Sequence, residues 1–370
     1  MHTCCELSGG RVARAGRRSG LASAGFESRR ALPEGERVDV QASPPEVDRA
    51  ALDAAVQAAF AEPDPHHPRH TRAVVVVHRD RIIAERYAPG FDAAMPLMGW
   101  SMAKMATNAF VGIAVQNGKV ALADKELMPE WRGNDDPRRH ITLDQLLRMT
   151  SGLSFNEDYE DHSSDVIQML LVKGDKAGFA ASKPLQYYPG SHWSYSSGAS
   201  NIIARILRQR FADRRDYLRF PREQLFQPLG MRSAVLEPDE AGTFVGSSFM
   251  YASARDWARL GLLYLHDGVW QGRRLLPEGW VSYSLTPTRG ASDARYGAHI
   301  WLKLPQSPGL GEPPMPDDAY YMLGHAQQVV AIVPSRDLVI VRLGLTGDEI
   351  AWDHARDVAP IVQAVSPHLP

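Results

Sequence analysis

The stretch YYMLGHAQQVVAIVPSRDLVIVRLG, Tyr320 to Gly344, decides the fold class. It reads as three short strand-forming runs, YYMLGH, QQVVAIV and LVIVRLG, and a PSRD turn separates the last two. Connections this short predict antiparallel neighbours, because a parallel neighbour needs a crossover of a dozen residues or more. A second hairpin stands near the other end of the chain: AVVVVH, a short polar turn at RDR, then IIAERY, ending at Tyr87. Strand-forming sequence therefore sits towards both ends. Between them, from about Lys125 to Gly242, the pattern changes to helices and long polar loops.

The helical segments are marked by their own punctuation. Residues 48–61, DRAALDAAVQAAFA, read as a helix before the first hairpin. ITLDQLLRMTSG carries Thr142 and Gln145 at capping-box spacing, with Gly152 as its stop. SNIIARILRQRF has an apolar stripe at Ile202, Ile203, Ile206 and Leu207. SARDWARLGLLYLHDG is a further amphipathic helix, and IAWDHARDVAPIVQAV closes the chain. The expected architecture is α/β: an antiparallel sheet flanked by helices, with an all-helical domain inserted. Residues 41–124 and 243–370 would form one discontinuous α/β domain and residues 125–242 the helical one, with a cleft at their boundary.

Composition narrows the function. The chain has 370 residues, 44% hydrophobic and 23% charged, with a net charge of −2, which gives no reason to expect nucleic acid or an anionic membrane as partner. Its two cysteines are the neighbours Cys4 and Cys5, so neither a disulfide framework nor a zinc cluster is expected. No segment approaches the roughly 20 apolar residues of a membrane span. Residues 1–40 are arginine-containing, lack the apolar run of a secretory signal, and read as a disordered extension. A cytoplasmic location is the expectation.

Three short pieces carry chemistry. GWSMAKMATNAF places Lys104 three residues after Ser101, on one face of a segment that is apolar almost all round and ends at Asn117-Gly118. Only seven of the 41 basic residues are lysines, so a lysine here suggests a group chosen because it can lose its proton. Serine becomes a good nucleophile when a base takes its proton. An amine can be that base if burial lowers its pKa from about 10.4 towards 7–8. The bland reading of an isolated S-x-x-K is an N-cap serine beside an unrelated lysine. Second, WSYSSGASN puts Tyr195 in a Ser/Gly-rich turn before a helix, where its hydroxyl can carry a proton. Third, LGHAQQ sets His325, Gln327 and Gln328 at the start of a strand that can lend a backbone N–H to an oxyanion.

Together the three pieces resemble the serine β-lactamase and penicillin-binding protein superfamily, in its class C-like branch, over residues 72–365. GWSMAK, WSYSSG and GHAQQVVAIVPSRDLVIVRLG look most like 6-aminohexanoate-dimer hydrolases. The resemblance implies the β-lactamase/transpeptidase-like fold, Ser101 as nucleophile, Lys104 as its base and Tyr195 as proton carrier, with no cofactor and no metal. Ser197 stands where class C enzymes have the Asn of Y-x-N, and His325-Ala326-Gln327 replaces K-T-G. Losing that lysine removes the charge that would hold a β-lactam carboxylate. Tyr159, in SFNEDYEDHSSD, lies about where the nylon-oligomer enzymes have a substrate-contacting tyrosine.

The implied activity is hydrolysis of small linear amides or esters through an acyl-enzyme. Alternatives are a β-lactamase, DD-peptidase or carboxylesterase of the same superfamily, and a non-catalytic peptide-binding relative. An α/β-hydrolase triad using His325 is a further competitor, since GWSMA is one residue short of G-x-S-x-G. HHPRH (His66, His67, His70) reads as a solvated loop rather than a metal site. The substrate is expected to be a small molecule, with homodimerisation left open.

Overall fold

The computed structural model describes residues 44–304, 315–347 and 351–367. The expected N-terminal extension, with Cys4 and Cys5, lies outside the described residues. Five strands build one antiparallel sheet: β1 (Thr71–His78), β2 (Arg81–Tyr87), β3 (Tyr320–Gly324), β4 (Gln328–Val333) and β5 (Leu338–Gly344). Their spatial order is β2-β1-β5-β4-β3, so the two hairpins meet where β1 pairs with β5. Arg79 and Asp80 form the first turn with φ of 47° and 60°, the left-handed pair that matches the twist of a two-residue hairpin.

The apolar runs of β1, β4 and β5 are continuous rather than alternating because both faces of the sheet are covered. Val74, Val76, Ala331 and Ile340 face the terminal helices α1 (Arg49–Ala59) and α6 (His354–Gln363). Val75, Val77, Ile332 and Val341 face the rest of the chain, including α2 (Ala103–Gln116), α3 (Leu143–Leu147), α4 (Ser197–Arg208) and α5 (Ala254–Leu265). Among the described residues, no helix is long and apolar enough to cross a membrane.

Three helices depart from the sequence reading. The capping box at Thr142 and Gln145 is present, but α3 ends at Leu147, because Met149 adopts φ 60° and turns the chain well before Gly152. The last helix starts at His354: Asp353 caps it by accepting from Arg356 N–H at 2.6 Å, and Trp352 is left outside as a wall residue. Ser101 sits in a separate 3₁₀ turn, Trp100–Met102, immediately ahead of α2 rather than in its first turn.

The segment after Ser101 is buried on all sides, as its composition predicted. Asn108 is the polar tie within it. Its Oδ1 accepts from Tyr264 Oη at 2.6 Å and Trp280 Nε1 at 2.8 Å, while its Nδ2 donates to the Ala298 carbonyl at 2.8 Å. Asn108→Leu leaves the buried Trp280 N–H and Ala298 carbonyl unpaired, and should cost roughly 2–4 kcal/mol. Urea unfolding checks this; a change below about 0.5 kcal/mol would show that the ties contribute little.

Candidate active site

The close approach of two backbones places Ser101. A Cβ on Gly324, at the end of edge strand β3, would lie 2.2 Å from the Gly99 carbonyl oxygen. Glycine at 324 therefore lets the strand reach the Trp100–Met102 turn. Trp100 holds φ 50°, a conformation uncommon for a large side chain, and its ring packs edge-on against His325 and Tyr159. Ser101 emerges from this braced turn into a cavity of about 320 Å³.

Lys104 lies behind Ser101, 2% exposed. Its Nζ donates to Ser101 Oγ at 3.0 Å, Ser197 Oγ at 3.1 Å and the Ser247 carbonyl at 3.2 Å. The same nitrogen sits 4.8 Å from the centre of the Tyr195 ring. Burial pushes the Lys104 pKa down from 10.5 to about 8, with the Glu157 carboxylate opposing the fall. Burial also raises Tyr195 well above its ordinary value of 10, so the phenol holds its proton at neutral pH.

Glu157 lines the same cavity, and sequence reasoning missed it. Its carboxylate accepts from Ser197 N at 2.7 Å and from the Ser197 hydroxyl. Ser197 is the first residue of α4, so Glu157 satisfies one of that helix's unpaired N–H groups and meets its positive end. The result is a buried line running Glu157–Ser197–Lys104–Ser101. Burial raises the Glu157 pKa, and the Lys104 ammonium pulls the other way. Removing the carboxylate therefore lowers the Lys104 pKa further. Glu157→Gln should shift the acid limb of the kcat/KM–pH profile to lower pH, a direction that a purely structural loss would not produce.

The remaining expected residues divide into two groups. Tyr159 and His325 line the cavity and stack on each other at 4.6 Å between ring centres. The Tyr159 hydroxyl is buried without a properly aligned partner, although Ser101, Ser197 and Ser248 lie near it. Gln327 also lines the cavity, in a loop where Ala326 and Gln327 hold φ of 58° and 62°. Gln328 does not. Its carboxamide is turned into the sheet, donating to the Gly344 carbonyl at 2.7 Å and accepting from Gly344 N at 2.9 Å. Trp301 and the segment Trp352–His354 complete the wall. No cluster of three or more metal-ligating side chains occurs among the described residues.

This arrangement excludes the α/β-hydrolase alternative. The sheet is antiparallel, and the strand before Ser101 is the two-residue Leu97–Met98, paired in a separate small sheet. A strand–serine–helix elbow on a parallel sheet is absent from the described residues, and His325 packs on Tyr159 and Trp100.

An antiparallel sheet with terminal helices on one face, and a buried lysine hydrogen-bonded to a serine at its edge, mark the β-lactamase/transpeptidase-like fold. The Beta-lactamase family model matches residues 52–355, and the chain belongs to that family. A 6-aminohexanoate-dimer hydrolase of Paenarthrobacter ureafaciens is 27% identical over 229 residues, a match covering 57% of this chain and 56% of that protein. Among solved structures, a penicillin-binding protein from Bacillus halodurans superposes with a TM-score of 0.62 at 15% identity, covering 85% of this chain and 99% of that one. EstCE1, described as a hydrolase with promiscuous acyltransferase activity, gives a TM-score of 0.64 at 16% identity, covering 85% and 97%. At these identities the structures speak for the fold.

Proposed function

We propose that this protein hydrolyses small linear amides or esters through an acyl-enzyme on Ser101. The observation that carries the reading is the 3.0 Å contact between Lys104 Nζ and Ser101 Oγ in a buried pocket. A lysine whose pKa is about 8 is partly neutral at pH 7–8 and can accept the serine proton as Oγ attacks a carbonyl. The oxyanion is held by the N–H groups of Ser101 and Gln327; Gln327 rather than Gln328 is chosen because it lines the cavity. Tyr195 passes a proton to the departing amine or alcohol and regains one from the Lys104 ammonium. Water then attacks the acyl carbonyl, its proton passing by the same groups back to Ser101 Oγ as the acyl product leaves. Tyr159 and His325 form one wall of the acyl site, and Ser197 links Lys104 to Glu157.

The substrate class follows from chemistry on the wall. His325 stands where a β-lactamase has lysine, and no lysine or arginine lines the cavity among the described residues. Carboxylate-bearing β-lactams are therefore poor candidates. The 27% identical relative is named for the 6-aminohexanoate dimer, which itself ends in a carboxylate, so uncharged linear amides and esters are tested beside that dimer. The proposed domain division, residues 41–124 with 243–370 and an inserted 125–242, draws support from the sheet, whose strands come from residues 71–87 and 320–344.

A panel of short-chain p-nitrophenyl esters, linear amides and nitrocefin tests the assignment, together with fluorophosphonate labelling. Ester turnover and a label on Ser101 are expected, and both should vanish in Ser101→Ala. Turnover surviving that substitution would refute the assignment. Absence of both turnover and labelling in the wild type would favour a peptide-binding relative without catalysis.

A further inference from the structure

The wall formed by Trp352, Asp353 and His354 has no role in the acyl-transfer chemistry above, yet it is built with care. Arg342, 1% exposed, lies 4.3 Å over the Trp352 ring and donates to the Gln327 carbonyl at 2.8 Å. The Trp352 indole N–H in turn donates to His354 Nδ1 at 3.1 Å. An imidazole that accepts at Nδ1 carries its proton on Nε2 when neutral. Burial, reinforced by the Arg342 charge, lowers the His354 pKa to about 3, so the ring is uncharged in the working range. His354 lines the same cavity as Ser101, and its Nε2 has no protein partner among the described residues. The cavity thus contains a fixed, neutral N–H donor in addition to the oxyanion groups.

We propose that His354 reads a second, uncharged carbonyl on the substrate, so that the preferred acyl donor is a linear chain carrying an amide or ester carbonyl besides the one attacked. This rests on the hydrolase reading and deepens it. A carboxylate is a poor occupant because the Asp353 and Glu157 carboxylates line the cavity, whereas no lysine or arginine lines it among the described residues. An ammonium group would pair with the Asp353 or Glu157 carboxylate and leave the protonated Nε2 of His354 unsatisfied. An uncharged carbonyl satisfies the donor, and the aromatic walls of Trp301, Trp352 and Tyr195 cover the chain between the two carbonyls.

The test uses three matched sets of p-nitrophenyl esters: plain alkanoates, chains of equal length with an internal amide two to six carbons from the ester, and chains ending in carboxylate. In the wild type, kcat/KM should favour the amide over the alkanoate about five- to tenfold at one spacing, with the carboxylate series poorest. His354→Phe should bring the amide-to-alkanoate ratio close to one, and His354→Gln, which keeps an N–H donor, should recover part of it. Trp352→Phe, which retains a ring under Arg342 but removes the N–H that sets the tautomer, should weaken the preference and remains readable if His354→Phe fails to fold. A wild-type ratio near one at every spacing, an undiminished ratio in His354→Phe or Trp352→Phe, or best turnover of the carboxylate series would overturn the proposal. If Ser101→Ala abolishes turnover of all three sets and no amide preference exists, only the inference about His354 falls. If turnover survives Ser101→Ala, the hydrolase reading falls with it.

Discussion

Lys104→Arg should lower kcat/KM by roughly three orders of magnitude or more, although charge and hydrogen-bonding capacity are retained. The reason lies in proton affinity. A guanidinium stays protonated across the working range and cannot accept the serine proton, whereas burial brings the Lys104 amine to about 8. In the wild type, kcat/KM should rise with pH and reach half its plateau near 8, because only the neutral amine is a base. Activity of Lys104→Arg within tenfold of wild type would remove Lys104 from the mechanism.

The same pKa carries a stability consequence. Above pH 10.5 the amine is neutral in both folded and unfolded chains. As pH falls towards 8, the unfolded chain takes up a proton that the folded site refuses, so stability declines through that window and stays lowered below it. A depression from 10.5 to about 8 corresponds to a penalty on the order of 3 kcal/mol at neutral pH. Lys104→Met removes the penalty and fills the space with an apolar chain of similar length. The variant should be inactive and should melt at a higher temperature than wild type at pH 7. A lower melting temperature would mean that the bonds to Ser197 and Ser247 outweigh the cost of burying the amine.

Gly324→Ala should cut kcat about a hundredfold and leave the fold in place at a cost of roughly 1–3 kcal/mol. The added methyl would stand 2.2 Å from the Gly99 carbonyl oxygen, a backbone atom two residues from Ser101. That contact is relieved by moving either the edge strand or the Trp100–Met102 turn. Either shift separates Ser101 from the Gln327 N–H by a good fraction of an ångström. Steady-state kinetics with fluorophosphonate labelling and circular dichroism measure the effect. A variant that labels and turns over at the wild-type rate would show that the turn accommodates the strain elsewhere.

Much of the site was legible in the sequence. Ser101 and Lys104 are three residues apart, and local chain geometry alone puts them on one side. The hairpin at Arg79-Asp80 and the capping box at Thr142 are equally local signals. Tyr195 and His325 were legible through resemblance, and both reach the cavity. Glu157 was not. It stands among Asp158, Glu160 and Asp161 in one polar loop, and nothing in the loop's sequence distinguishes the acid that turns inward from those that face water. Its selection depends on the N-terminus of α4, about forty residues further along the chain.

Gln328 shows the same limit from the other side. Its sequence position made it a partner for substrate, but side chains alternate across a strand, and the sheet claims it for Gly344. The segment Trp352–His354 read as the start of a helix because helical periodicity reports which face is apolar and not what lies opposite.

By itself, then, the sequence determined the antiparallel hairpins, the buried helix behind the serine and the spacing of Ser101 to Lys104, all of which depend on neighbours within a few residues. Only the tertiary structure decided which acid faces Lys104, how Gly99 and Gly324 bring the Ser101 turn to the sheet edge, and which tautomer His354 presents. Those features arise where segments distant in the chain exclude water from one another, and desolvation, which sets both the amine's proton affinity and the value of each buried bond, has no local signature.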